Sequence, residues 1–211
     1  MARVPALLLA AVLGMAAPAP AMAAPPRLEV YLGQVTAPDP QAQVGLQEWA
    51  QAFQQRIQII LYDAASSYYP GQPSRVVSVA LPRSPDPAGL PQFWNDQQAI
   101  YIASAIASSQ GGVTIIDSTV FLGAFKGSLP SPLLSLHQLV RRQDYVASQA
   151  ALEAVTLFGL ANQALAQGRP AAGCALFRDV QHRLARLNLQ PMRLAALPVA
   201  LRTDMARARC A

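Results

Sequence analysis

Residues 92–122, QFWNDQQAIYIASAIASSQGGVTIIDSTVFL, decide how the chain is read. In Gln92–Ser109 the apolar Trp94, Ile100, Ala103 and Ile106 follow a helical pattern, and Gly111-Gly112 offers a stop, so this half predicts a helix. Val113–Leu122 is β-branched and apolar and predicts a strand, with Gly123 and Gly127 punctuating the residues beyond it. Upstream, Arg27–Gly33 alternates as a strand with Leu28, Val30 and Leu32 on one face. From Gln43 the period lengthens: Leu46, Trp49, Phe53, Ile57 and Ile60 form the buried stripe of a helix ending near Ala65. Ser66–Pro73 combines turn formers, and Arg75–Leu81 is apolar enough for a strand buried on both sides. Pro82, Pro85 and Pro87 then force a loop. The order β-α-β-α-β predicts an α/β fold: a small three-stranded sheet with covering helices. Alternation favours parallel strands joined by right-handed crossovers, with an antiparallel arrangement left open.

The last third, from about residue 130 to 211, reads as helical. Pro132–Arg142, Tyr145–Gln167 and Ala171–Leu189 are predicted helices, and Gly168-Arg169-Pro170 is the sharpest break between the latter two. Beyond Pro191 the apolar Leu194, Leu197, Val199 and Leu201 are divided by Pro198, so a short helix and an extended return are both open. The hairpin across Gly168 resembles one tetratricopeptide unit of about 34 residues. Leu157, Gly168, Gly173 and Phe177 carry the resemblance, while Ala164 and Ala185 depart from it. It implies a generic helical hairpin.

Export is written at the start of the chain. Arg3 precedes an apolar run from Val4 to Ala17, and Ala21-Met22-Ala23 has the small-x-small form of a cleavage site. Residues 1–23 therefore read as a signal peptide ahead of a single domain at 24–211, and no transmembrane segment is expected after its removal. The expected destination is the periplasm or the exterior. There, the chain's two cysteines, Cys174 and Cys210, are expected to pair. A hydrophobic content of 53% with 13% charged residues excludes a disordered chain, a coiled coil and a charged nucleic-acid-binding arm. Charge is concentrated at the end: residues 169–211 hold eight arginines against two acids, a net of +6. Such a stretch can attract an anionic surface or an acidic partner.

Catalytic chemistry is undersupplied. The two histidines, His137 and His182, are isolated, and zinc or calcium spacings are missing, so no metal or cofactor is expected. Gly123–Ser128 is glycine-rich, but its lysine precedes the second glycine, contrary to a phosphate loop. Asp117, Ser118, Ser128 and His137 supply the residue types of a serine-dependent hydrolase without a G-x-S-x-G elbow. Binding has the better basis. Tyr68, Tyr69 and Trp94 sit in or beside Pro-rich connections, where rings give rigid contact area. Arg178, Arg183 and Arg186 form a basic surface with Leu184, Leu187 and Leu194 beside it. The expectation is an exported, noncatalytic binding or accessory protein recognising a protein or envelope component, with no nucleic-acid partner; the alternative is a hydrolase using Ser118 or Ser128 with His137.

Overall fold

The structure is a computed structural model, and it describes residues 28–33, 40–71, 74–79, 100–110, 113–141, 145–189 and 193–210. The signal-peptide stretch, the Pro82–Pro87 loop, the Gly111-Gly112 pair and Trp94 lie outside the described residues, as do the side chains of Trp49 and His137.

Strand β1 (Leu28–Gly33) is followed by helix α1 (Pro40–Tyr68) and strand β2 (Ser74–Val79). Next come strands β3 (Ile100–Gln110) and β4 (Val113–Phe121), a 3₁₀ turn at Gly123–Lys126, and β5 (Leu133–Arg141). Helices α2 (Tyr145–Ala166), α3 (Pro170–Leu184) and α4 (Ala196–Arg207) complete the described chain.

The expected three-stranded parallel sheet is overturned: the sheet has more strands, and it is parallel only where β1 meets β2 and β3. Among the described residues, one five-stranded mixed sheet runs in the order β2-β1-β3-β4-β5. β1 pairs in parallel with β2 and β3, whereas β3–β4 and β4–β5 are antiparallel. Two predicted helices account for the difference. Ile100–Gln110, read as helix, pairs along β4 from Tyr101↔Phe121 to Gln110↔Val113, and Leu133–Arg141 pairs along the other side of β4. Backbone pairing on both sides of a β-branched strand outweighs the weak helical preference of alanine-rich and leucine-rich segments.

The helices cover one face of this sheet. Val30, Leu32, Ile100, Val120, Leu134 and Leu136 join α1, α2, α3 and α4 in a single buried cluster. α1 supplies Phe53, Ile57, Leu61 and Ala64 at helical spacing. α2 is the central element: every residue from Ala151 to Ala161 is buried, as expected of a helix packed on all sides. Gly159 permits its close approach to the sheet, because a Cβ there would lie 2.7 Å from Ile100 Cδ1 and 2.9 Å from Leu122 Cδ2. On the opposite face Tyr31 and Phe121 are buried too, so the middle of the sheet is shielded on both sides.

Candidate functional site

The basic end of the chain is organised as two helices and a staple. Cys174, near the start of α3, is disulfide-bonded to Cys210, just beyond α4, with Cα atoms 5.3 Å apart. That link ties the first part of α3 to the end of α4. Pro198 falls in the first turn of α4, where a missing amide hydrogen breaks no intrahelical bond, so this proline does not interrupt the helix.

Between α3 and α4 lies a groove of about 300 Å³, lined by Gln181, Leu184, Ala185, Leu189, Pro198, Leu201, Arg202 and Met205. Leu184 and Leu201 are anchored in the core, Met205 and Leu189 are half-buried, and Ala185 and Arg202 are exposed. Arg178 is exposed three residues before Gln181 on the same side of α3, and Arg186 is exposed in the turn after Ala185. Arg178 Nε donates to its own-helix carbonyl at Cys174, 3.3 Å away, which leaves its charge without a carboxylate among the described residues.

Arg183 has a different role from its two neighbours. It pairs with Glu153 of α2, which also receives Arg56 of α1; Arg56 Nη2 lies 3.3 Å from Glu153 Oε2. The Glu153 side chain is wholly buried, and the hydrogen bond to it raises the Arg56 pKa above its ordinary value, with partial burial opposing. The result is an ion triad joining three helices rather than a charge offered to a ligand.

Of the aromatic candidates the structure describes, Tyr69 is enclosed and Tyr68 partly so. Tyr69 is fully buried and donates its hydroxyl to the Leu160 carbonyl at 3.0 Å. Arg169 lies over its ring, 5.2 Å from the centroid, and donates to the Tyr68 carbonyl at 3.2 Å. Tyr68 is partly buried against the same core. Tyr69 is therefore a core residue and not a loop contact, a position its Pro-rich neighbourhood concealed.

The serines are separated as well. Ser118 is enclosed on the helix-covered face of β4, and its Oγ has no hydrogen-bond partner among the described residues. His137 is in backbone register with Asp117, while Ser118 is in register with Leu136. Ser128 is tied to α4: its amide and hydroxyl donate to Asp204 at 3.0 and 2.6 Å, and Arg207 donates to the same hydroxyl. Asp204 is buried beneath this loop, and at Gly127 (φ +54°) a Cβ would come within 2.0 Å of Asp204 Oδ2. Lys126 Nζ donates to the Leu129 carbonyl at 2.8 Å. Gly123–Leu129 is thus a clamp between β4 and α4.

No protein-family model matches the chain, and no curated protein matches it. Among the described residues no cluster of three or more His, Cys, Asp or Glu could hold a metal ion, and no helix is long and apolar enough to cross a membrane. A second hollow of about 560 Å³ follows the outer face of α1 along Gln51, Gln54, Gln55, Gln58 and Ile59. Exposed Tyr62 continues that face by one turn. The arginines stand out in the sequence but the groove does not; its one local signal is the spacing of Leu201 and Met205, four residues apart beside Arg202.

Proposed function

We propose that this chain is an exported, noncatalytic binding or accessory protein that recognises a protein or envelope component through its C-terminal helices. One observation carries the reading: a stapled pair of helices presents an apolar groove with arginines at and beside its rim. Concave apolar surface bordered by a few polar groups is the usual form of a recognition site. The paired cysteines support an oxidising destination, as does the export pattern in residues 1–23. The enclosed Ser118 and the clamped Ser128 favour binding over hydrolysis.

Affinity capture from envelope extract tests this function, using the oxidised chain beginning at Ala24 as bait. A retained component is expected, and it is lost with Arg178→Glu/Arg186→Glu/Arg202→Glu when circular dichroism shows the fold intact. Retention by that variant moves recognition to the glutamine face of α1; an empty capture with the parent chain removes the binding reading.

A further inference from the structure

We infer that the α3–α4 groove seats one amphipathic helix of a partner protein, with its apolar stripe inserted and carboxylates flanking that stripe. The inference rests on the binding function proposed above and specifies the chemistry of the partner.

The groove's form selects a helix. Two neighbouring helices leave a furrow between them, here lined by residues of both, and a third helix fills such a furrow with residues spaced i, i+3, i+4 and i+7. A volume of about 300 Å³ accommodates a row of apolar side chains and falls at the small end of the range for compact ligands. Leu184 and Leu201 make a floor fixed by the core, while half-buried Met205 provides an unbranched, polarizable contact that adjusts to different apolar knobs. The Cys174–Cys210 bond holds the helix pair at one end, and Arg183 with Glu153 ties the back of α3 to α2. The seat is therefore built before binding, which limits the ordering cost of association.

Charge selects the flanks. Arg202 lines the groove on the α4 side; Arg178 shares the Gln181 side of α3, and Arg186 stands beside Ala185. Among the described residues, no acid lines the groove. Of the two acids in residues 169–211, Asp204 is buried and bonded to Ser128, leaving Asp179 as the exposed one. A partner bearing lysines on its flanks meets like charge here, whereas glutamates or aspartates meet complementary charge.

The probe is a fluorescein-labelled helical peptide of about 14 residues, with leucines at i, i+3, i+4 and i+7 and glutamates on both flanks. Its anisotropy is titrated with the oxidised chain beginning at Ala24. Saturable binding is expected, weakened about tenfold or more by Arg202→Glu and by Ala185→Trp, whose indole fills the groove from an exposed position. The same peptide with lysine flanks, or with serines replacing its leucines, is expected not to bind. Absence of binding by the glutamate peptide overturns the inference, as does binding insensitive to both groove variants. Sedimentation showing a dimer that Ala185→Trp dissociates assigns the groove to a second copy instead. Binding to phosphatidylglycerol vesicles that outcompetes the peptide assigns it to a lipid surface. If envelope capture survives Arg202→Glu and Ala185→Trp, the groove is excluded while the binding function stands; if the parent chain captures nothing, the function itself fails.

Discussion

Glu153 is the most consequential single residue in the fold. Its carboxylate has no solvent access and is neutralised by arginines that lie 97 and 30 positions away along the chain. Removing the buried carboxylate leaves two guanidinium groups without their acceptor, and because both are partly exposed to water the cost falls to about 1–3 kcal/mol. Glu153→Gln is expected to lose stability on that scale in urea unfolding, while Arg56→Met and Arg183→Met, each leaving a guanidinium in place, lose less. A change below about 1 kcal/mol for Glu153→Gln contradicts a structural role for the triad. Tyr69 makes a separate prediction. Burial raises its pKa above the ordinary 10.0, with Arg169 opposing, so the fold holds the neutral phenol more strongly than the unfolded chain does. The stability from this preference is fully present below pH 10.0 and is lost as pH rises from there through the higher folded-state value. Tyr69→Phe is expected to flatten this alkaline decline and to cost about 1 kcal/mol at neutral pH for the lost bond to Leu160. An unchanged alkaline slope in the variant assigns the decline to other groups.

Among the elements, β1, α1, α2 and α3 lie close to where hydrophobic period placed them, because each owes its period to the face it buries, although α3 ends at Leu184 and not at Leu189; β2 falls on its expected segment. β3 and β5 do not. Ile100, Ile102 and Ile106 satisfy an alternating reading with Ser104 between them, but alanines and the interval from Ile100 through Ala103 to Ile106 also satisfy a helical one. The deciding signal was Gly111-Gly112: two apolar runs separated by two glycines read as a hairpin. Leu133–Arg141 is similarly ambiguous alone, and only pairing with β4 fixes it. The arginines of the candidate site were legible as charge, but their division into Arg183, facing Glu153, and Arg178 and Arg186, facing outward, depends on partners remote in sequence. α4 has the least local support, with five of its twelve residues polar or proline, and beyond the buried Leu197, Ala200 and Leu201 its attachment rests on the disulfide and on Asp204. Closing a loop across a separation of 36 residues corresponds to about 4 kcal/mol in the chain-entropy model. Cys174→Ser/Cys210→Ser is therefore expected to lose up to about 4 kcal/mol. Amide exchange is expected to accelerate throughout the shared core and most strongly in 196–210; acceleration in β4 with no excess in 196–210 contradicts a specific tethering of α4.

For the molecule as a whole, the central question is whether sheet and C-terminal helices form one folding unit. α2 joins them within a single turn. Phe158 packs on Phe177 of α3 with ring centroids 5.8 Å apart, and the adjacent Gly159 abuts Ile100 and Leu122 beside the sheet. The buried cluster runs without division from β1 through α4, so loosening either side removes partners from the other. Stability is then a shared property, and urea unfolding is expected to be one transition by both far-ultraviolet dichroism and tyrosine–tryptophan fluorescence. Phe158→Ala provides the sharper test. Truncating a fully buried phenylalanine costs about 3–5 kcal/mol, and under a shared core that loss appears equally in the exchange protection of β4 and α3. Protection lost in α3 alone, with β4 unaltered, shows instead that the sheet folds without its helical cap. In that event the groove belongs to a separable module carried by the sheet, and partner binding is expected to stabilise α3 and α4 without changing the unfolding of the strands.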